Sequence, residues 1–355
     1  MKWYNPQTEP FLISGFVFYE KDKVYRRMPL EEGIMPEAVY GLANETAGGQ
    51  IRFHGRLKEL RIQVSLASKP GYYDHIKSPH LATVTRRAFD LYVSPDGKDY
   101  IFFGVAKGMD DSDNYYEHTF LKQDEEQEFD FLLNFPLYGG VDKVLIGVDD
   151  EARISAPHYH FKDDKKIVQY GTSIHQGACA GRPGMAQSNL LSRLLDREVY
   201  NLGFNSNGKA EPEMARILGQ IKDTKVLIMC PEGNCPDAQW MNEKLRAFIR
   251  VYRELQPDTP IVLMTHLITG LESVIHNALE ERLGYREIQE RIVEECRAQG
   301  DDRIFLYVQD GREIPGLEGH SIWHEGTVDG LHYNDLGYYW TTKALIQFLK
   351  ERIDL

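Results

Sequence analysis

Basic residues are in the minority here, with 41 Lys and Arg against 54 Asp and Glu, a formal net charge of −13. A chain of that sign lacks the basic surface that nonspecific binding to nucleic acid or to an anionic membrane requires. Apolar runs are short: none approaches the about 18 consecutive apolar residues of a membrane-spanning helix. Cysteine is scarce, with Cys179, Cys230, Cys235 and Cys296 spaced too irregularly for a disulfide framework. They read as reduced thiols, and Cys230 and Cys235 lack the two-residue spacing and second ligand pair of a zinc knuckle. No metal site and no cofactor is expected. Internal repeats and low-complexity segments are also absent. The start, "MKWYNPQTEP", puts Asn, Pro, Gln and Glu where a signal peptide would carry its apolar run. The expectation is a cytoplasmic chain, or an extracytoplasmic one if a signal has been trimmed.

What is present suits a globular protein: 42% of residues are hydrophobic and 27% charged, and 355 residues leave room for two domains. The two halves differ in grammar. Residues 1–160 hold short alternating runs broken by turn residues, among them "GQIRFHG", "ELRIQVSLAS", "EFDFLLNFP" and "VDKVLIGVD". In "LYVSPDGKDYIFF" the Pro-Asp-Gly between two apolar runs is a hairpin signal, since Pro presets one turn angle and Gly supplies positive φ. An antiparallel β-sandwich, jelly-roll-like, is expected there.

From residue 165 to 355 strand and helix alternate. Apolar runs "KKIVQYG", "EVYNLGF", "KVLIMCP", "PIVLMTH" and "RIFLYVQD" are each followed by a helical pattern, ending near 335–353. Five such strands imply an α/β fold with a parallel sheet covered on both faces. The boundary between halves is expected in "ISAPHYHFKDD", residues 154–164.

In an open α/β sheet, ligands bind beyond the C-terminal ends of the strands. That edge collects Gly171-Thr172-Ser173-Ile174, Gly203 to Gly208, Pro231-Glu232-Gly233-Asn234, and the loop carrying Asp329 and His332. Ser173 as nucleophile, His332 as its base and Asp329 as the group orienting the imidazole would form a hydrolytic triad. Backbone N–H groups of Ser173 and the second loop, with the Asn234 amide, would receive the developing oxyanion. Taken one at a time, each has a plainer structural role. A serine before a helix is more often its cap, and Gly-Asn after a strand is more often a turn. Their convergence on one sheet edge favours the chemical reading. The nucleophile-elbow pattern Gly-x-Ser-x-Gly is broken by His175 two residues after Ser173, which weakens an α/β-hydrolase assignment.

The segments "YGTSIHQGACAGRPGM", "NLGFNSNGKAEPEMA", "CPEGNCP" and "EGTVDGLHYNDLGYYW" resemble, in order, the four sequence blocks of the SGNH, or GDSL-like, acylhydrolases. "FDLYVSPDG", residues 89–97, resembles the Asp-Leu-Tyr segment of the β-domain preceding the hydrolase in one branch of that family. The resemblance implies a flavodoxin-like α/β/α sandwich and metal-free ester or thioester hydrolysis. By position it implies Ser173 as nucleophile, Asp329 and His332 as the rest of the triad, and Asn234 as an oxyanion donor. The second block departs from the family's glycine at Ser206, whose N–H would have to serve instead. If that loop demands positive φ, a serine there is strained.

Other features weigh less. His158 and His160 alternate like a metal pair, but the pattern supplies no carboxylate partner. His266 ends the fourth strand at the active edge. His175 and Gln176 would orient the first helical turn or line the pocket. Residues 271–299 read as a solvated amphipathic helix. Trp323, Tyr333, Tyr338, Tyr339 and Trp340 surround the His332 loop and would stack on sugar or fill the core.

The expected function is a serine esterase acting on short-chain acyl esters, with carbohydrate O-acetyl groups as candidates by fold analogy. The alternative is a carbohydrate-binding or scaffold protein on an impaired hydrolase fold. The expected partner is a small-molecule or carbohydrate ester, with neither nucleic acid nor membrane; the sequence sets no oligomeric state.

Overall fold

The computed structural model describes residues 1–67, 78–106, 113–267, 270–272, 274–309 and 321–355. Eight strands of the first half form one antiparallel sheet: β1 (Lys2–Tyr4), β2 (Leu12–Ser14), β3 (Gln50–Leu66), β4 (Asp90–Ser94), β5 (Ile101–Val105), β6 (Tyr115–Asn134), β7 (Val141–Val148) and β8 (Arg153–Ser155). The order is β1-β7-β3-β6-β4-β5, with β2 and β8 also pairing with β3. Three short helices, α1 (Tyr19–Asp22), α2 (Glu37–Leu42) and α3 (Thr83–Arg87), fill the connections. "QIRFHG" and "ELRIQVSL", parts of runs read above as separate, belong to the single strand β3, which shifts register between Leu57 and Glu59. The Pro-Asp-Gly turn joins β4 to β5, with Tyr92 opposite Phe102 and Gly97 at φ +76°.

The second half contains a parallel sheet of β9 (Lys166–Gly171), β10 (Val199–Gly203), β11 (Thr224–Cys230), β12 (Ile261–Met264) and β13 (Ile304–Tyr307). Its order, β10-β9-β11-β12-β13, is the flavodoxin-like 2-1-3-4-5. The helices are α4 (Ser173–Gln176), α5 (Gln187–Leu195), α6 (Pro212–Leu218), α7 (Ala238–Leu255), α8 (His276–Ala298) and α9 (Asp335–Arg352).

Successive strand residues point to opposite faces, and two cores result. Val168, Tyr170, Leu227 and Met229 pack with Met214, Phe248 and Ile292 from α6, α7 and α8. Ile167, Val226 and Ile228 pack with Leu191 and Leu195 of α5 and with Leu345 and Leu349 of α9. Met28, Val39 and Leu42 of the first half join the former core. No helix among the described residues is long and apolar enough to cross a membrane.

The halves are further tied by buried polar contacts. Arg27, wholly buried, donates to the carbonyls of Leu42, Glu45 and Gly203. It thereby fixes the C-terminal end of β10 from the other half of the chain. Asp90 of the Asp-Leu-Tyr segment accepts from Asn134 Nδ2 (2.8 Å), Arg182 Nη1 (3.1 Å) and the Gly184 N–H (2.7 Å). Burial pushes the Asp90 carboxyl up in pKa, against the pull of these donors. Tyr92 adds a hydrogen bond accepted from Arg182. The Asp-Leu-Tyr segment is thus a latch onto residues 182–184, the turn that leads into α5.

Candidate active site

β9 ends at Gly171, and Thr172 takes the N-cap position of α4, so Ser173 is the first helical residue rather than its cap. The capping role considered for Ser173 is therefore replaced: its hydroxyl faces His332, with Oγ 3.0 Å from Nε2. On the other side of the imidazole, Nδ1 lies 2.8 Å from Asp329 Oδ2, and the His332 backbone N–H donates to Asp329 Oδ1 at 2.8 Å. Partial burial works to raise the Asp329 pKa, but hydrogen bonds from the His332 N–H, the His332 ring and the Leu331 N–H outweigh it. The carboxyl is held below its ordinary range, as an anion that favours Nδ1–H and leaves Nε2 free to accept from Ser173.

The second loop closes onto the end of β9. Phe204 donates to the Gly171 carbonyl at 2.8 Å, and a Cβ at Gly208 would stand 2.0 Å from the same oxygen, so only glycine fits. Asn207 donates back to Phe204 (3.0 Å), closing a turn in which Ser206 has φ +55°. This is the left-handed position where glycine is favoured, and the serine pays the steric cost. Asn234 Nδ2 donates to the Asn207 carbonyl at 2.7 Å, which anchors the third loop to the second. An amide carries two N–H donors, so one remains for a ligand.

The contacts that support this edge reach across the chain, which is why the sequence did not reveal them even where, as at Gln176 and Tyr338, it drew attention to the residue. Gln176 donates to Glu45 and to the Leu137 carbonyl (3.1 Å), while its Oε1 accepts the Asn205 N–H (2.9 Å). It therefore couples α4, the loop after β10 and the first half. Tyr138 Oη donates to the Ser173 carbonyl at 3.3 Å, and the His80 ring stacks on His332 with centroids 5.2 Å apart. Tyr338, fully buried, donates to the carbonyls of Ile174 (2.7 Å) and Ala178 (2.9 Å).

The remaining expectations divide. His266 is buried at this edge; its Nδ1 bonds the Leu267 carbonyl (2.8 Å) and its N–H donates to Glu232 (2.6 Å). Burial lowers its pKa, and burial raises that of Glu232 to about 7. His175 lines no open pocket: it is sealed against Gly171, and burial pushes its pKa down to about 3. Tyr333 and Tyr338 pack edge to face in the core, whereas Tyr339 is exposed. The Trp323 side chain lies outside the described residues. His158 and His160 do not form a pair: His158 meets Asp130, a carboxylate that the pattern did not supply, and His160 lines a separate hollow with Asp163 and Glu198.

Residues 164–350, more than half of the chain, match the GDSL-like lipase/acylhydrolase family, and residues 1–154 match the N-terminal segment of SGNH-hydrolase-type esterases. The chain belongs to the GDSL-like acylhydrolases. This acylhydrolase is an ester hydrolase. A solved structure from Bacteroides ovatus, described as a GDSL-like lipase, is 30% identical, with 100% of this chain and 99% of that chain covered at a TM-score of 0.86. Two further structures share the fold. The salicylyl-acyltransferase of a tetracycline biosynthetic pathway has 17% identity, coverage of 99% and 97%, and a TM-score of 0.75. An acetyl xylan esterase from the rumen bacterium Butyrivibrio proteoclasticus has 10% identity, coverage of 99% of both chains, and a TM-score of 0.58. A search of the curated proteins finds no match. The acylhydrolase has Ala88 where the Gly-x-Asp-Leu-Tyr signature of its N-terminal family begins; Ala88 has φ −89°, a value open to any residue.

Proposed function

We propose that this acylhydrolase is a serine esterase that cleaves short-chain acyl esters, carbohydrate O-acetyl esters among them, through Ser173, His332 and Asp329. The observation that carries the reading is the unbroken hydrogen-bonded series from Ser173 Oγ to His332 Nε2 and from His332 Nδ1 to Asp329. Ser173 Oγ attacks the acyl carbonyl carbon as its proton passes to Nε2. The oxyanion is received by the backbone N–H groups of Ser173 and Ser206 and by the free N–H of Asn234. The imidazolium, stabilised by Asp329, returns the proton to the departing alcohol. Water then attacks the acyl-enzyme with His332 as base, which restores Ser173.

Ser206 does not speak against this sequence of events, because the oxyanion needs a backbone donor and the serine adopts the glycine-like φ of that turn. The carbohydrate half of the proposal draws on the fold shared with an acetyl xylan esterase. Purified protein is expected to hydrolyse p-nitrophenyl acetate faster than the octanoate, with turnover unchanged by EDTA. Ser173→Ala is expected to lower turnover by about 10⁴-fold or more. Hydrolysis that survives this substitution would sink the triad.

A further inference from the structure

A second constellation of ligating side chains lies in the first half, where a buried carboxylate meets two imidazoles. His54 of β3 and Asp130 of β6 are directly opposed in the antiparallel ladder. His158, in the segment joining β8 to β9, folds back over them. Its backbone N–H donates to Asp130 Oδ1 at 2.8 Å and its Nδ1 lies 2.9 Å from Oδ2. His54 Nδ1 stands 3.5 Å from the same Oδ2, and the three ligand atoms all lie within 4.8 Å of one another. For metal bonds of about 2.0–2.1 Å at tetrahedral angles, ligand atoms stand about 3.3–3.4 Å apart. The separations of 3.5 and 2.9 Å bracket that value.

Three further facts point to a cation. The Asp130 side chain is completely buried, and its ion-pair partners among the described residues are these two histidines; buried charges are ordinarily paired or bound to metal. His54 is 91% buried (9% exposed), and its Nδ1, aimed at Asp130, has no hydrogen-bond partner. Its other nitrogen, Nε2, lies 3.3 Å from Glu128 Oε1. A carboxylate beside the far nitrogen of a histidine is where the outer contact of a metal-ligating imidazole usually stands.

We propose that His54, Asp130 and His158 form a binding site for a divalent transition cation, zinc foremost, that clamps the connecting segment onto the antiparallel sheet. Two imidazoles and a carboxylate suit zinc, with water as fourth ligand. His158, with its side chain 56% exposed, gives the ion a way in. On binding, the His158 ring keeps one proton, moved from Nδ1 to the exposed Nε2, while Nδ1 joins the metal. The site is separate from the triad. The other His/Cys grouping, His80, Cys179 and His332, contains a triad member, and its thiol is pushed up to about 12 by burial and by Asp329.

The test uses full-length protein carrying His80→Ala, which disables that second grouping, titrated with zinc chloride against a chelating dye. The expected result is one equivalent bound with a dissociation constant of about 10 µM or tighter, and a thermal midpoint raised by several degrees. Adding His158→Ala, with retention of the fold checked by circular dichroism in the absence of zinc, should weaken binding by about 100-fold and abolish the zinc-induced shift. Cobalt(II) in place of zinc should give visible d–d absorption without a thiolate charge-transfer band. The proposal is overturned if no equivalent binds below about 100 µM zinc, if binding survives His158→Ala, or if the thiolate band appears.

Discussion

The two sheets of this acylhydrolase solve the same problem of burying apolar surface in different ways, and only one solution is written plainly in the sequence. The parallel sheet has strands of four to seven residues, mostly covered on both faces, so each reads as a brief apolar run. The antiparallel sheet is built on β3 and β6, of 17 and 20 residues, and much of β6 faces solvent. Its outer stretch is held by cross-strand polar contacts: Arg61 and Gln63 meet Glu117 at 3.2 and 2.9 Å, and Arg56 meets Glu126 at 2.6 Å. The difference also divides the labour. The candidate site lies at the edge of the parallel sheet, and the first half braces it through Asp90 of β4 and through Arg27, Glu45 and Tyr138 of its connecting segments.

That division predicts a large stability effect from a residue of the bracing sheet. Asp90→Ala removes three hydrogen bonds and takes from Arg182 its buried carboxylate partner, so a loss of about 3–5 kcal/mol in denaturant unfolding is expected. A loss below about 1 kcal/mol would mean that the latch is ornamental. On the catalytic side the expected effect falls on rate. Asn234→Ala should lower kcat by about 10²–10³-fold, or about 3–4 kcal/mol of barrier, with little change in thermal midpoint.

The catalytic half should also be the acid-sensitive one. His175 is neutral in the fold with its pKa pushed down to about 3 by burial, whereas an unfolded histidine titrates near about 6.5. A depressed imidazole contributes stability that is fully present above about pH 6.5 and lost as pH falls toward 3. Between pH 7 and 5 the loss is about 2 kcal/mol. The slope of stability against pH over that interval should flatten by this amount in His175→Met. The smallest effect is expected at Ser206. Replacing it by glycine relieves the left-handed backbone at the cost of chain entropy, for a net gain of at most about 1 kcal/mol. Activity should change less than about twofold, since the N–H proposed to receive the oxyanion is kept.

The fold class was legible in the sequence in both halves, but not to the same depth. The alternation of strand and helix is enough to read the parallel sheet. The charged stretch Gln123–Gln127 hides the middle of β6, because polar ladders leave no hydrophobic alternation to read. In the site, Ser173, Asn234, Asp329 and His332 were legible because they follow strands whose ends share one edge. Gln176 was visible as a neighbour of the nucleophile, but its tie to Glu45 spans 131 residues and leaves no local mark. Asp130 was missed for the same reason: it meets His54 only through the register of two long strands.

Whether Ser173 is made nucleophilic by His332 can be read from reaction with a fluorophosphonate, followed by peptide mapping of the adduct. A single stoichiometric adduct on Ser173 is expected, with labelling slowed by about 10³-fold or more in His332→Ala. An adduct on any other residue, or undiminished labelling of Ser173 in His332→Ala, would contradict it.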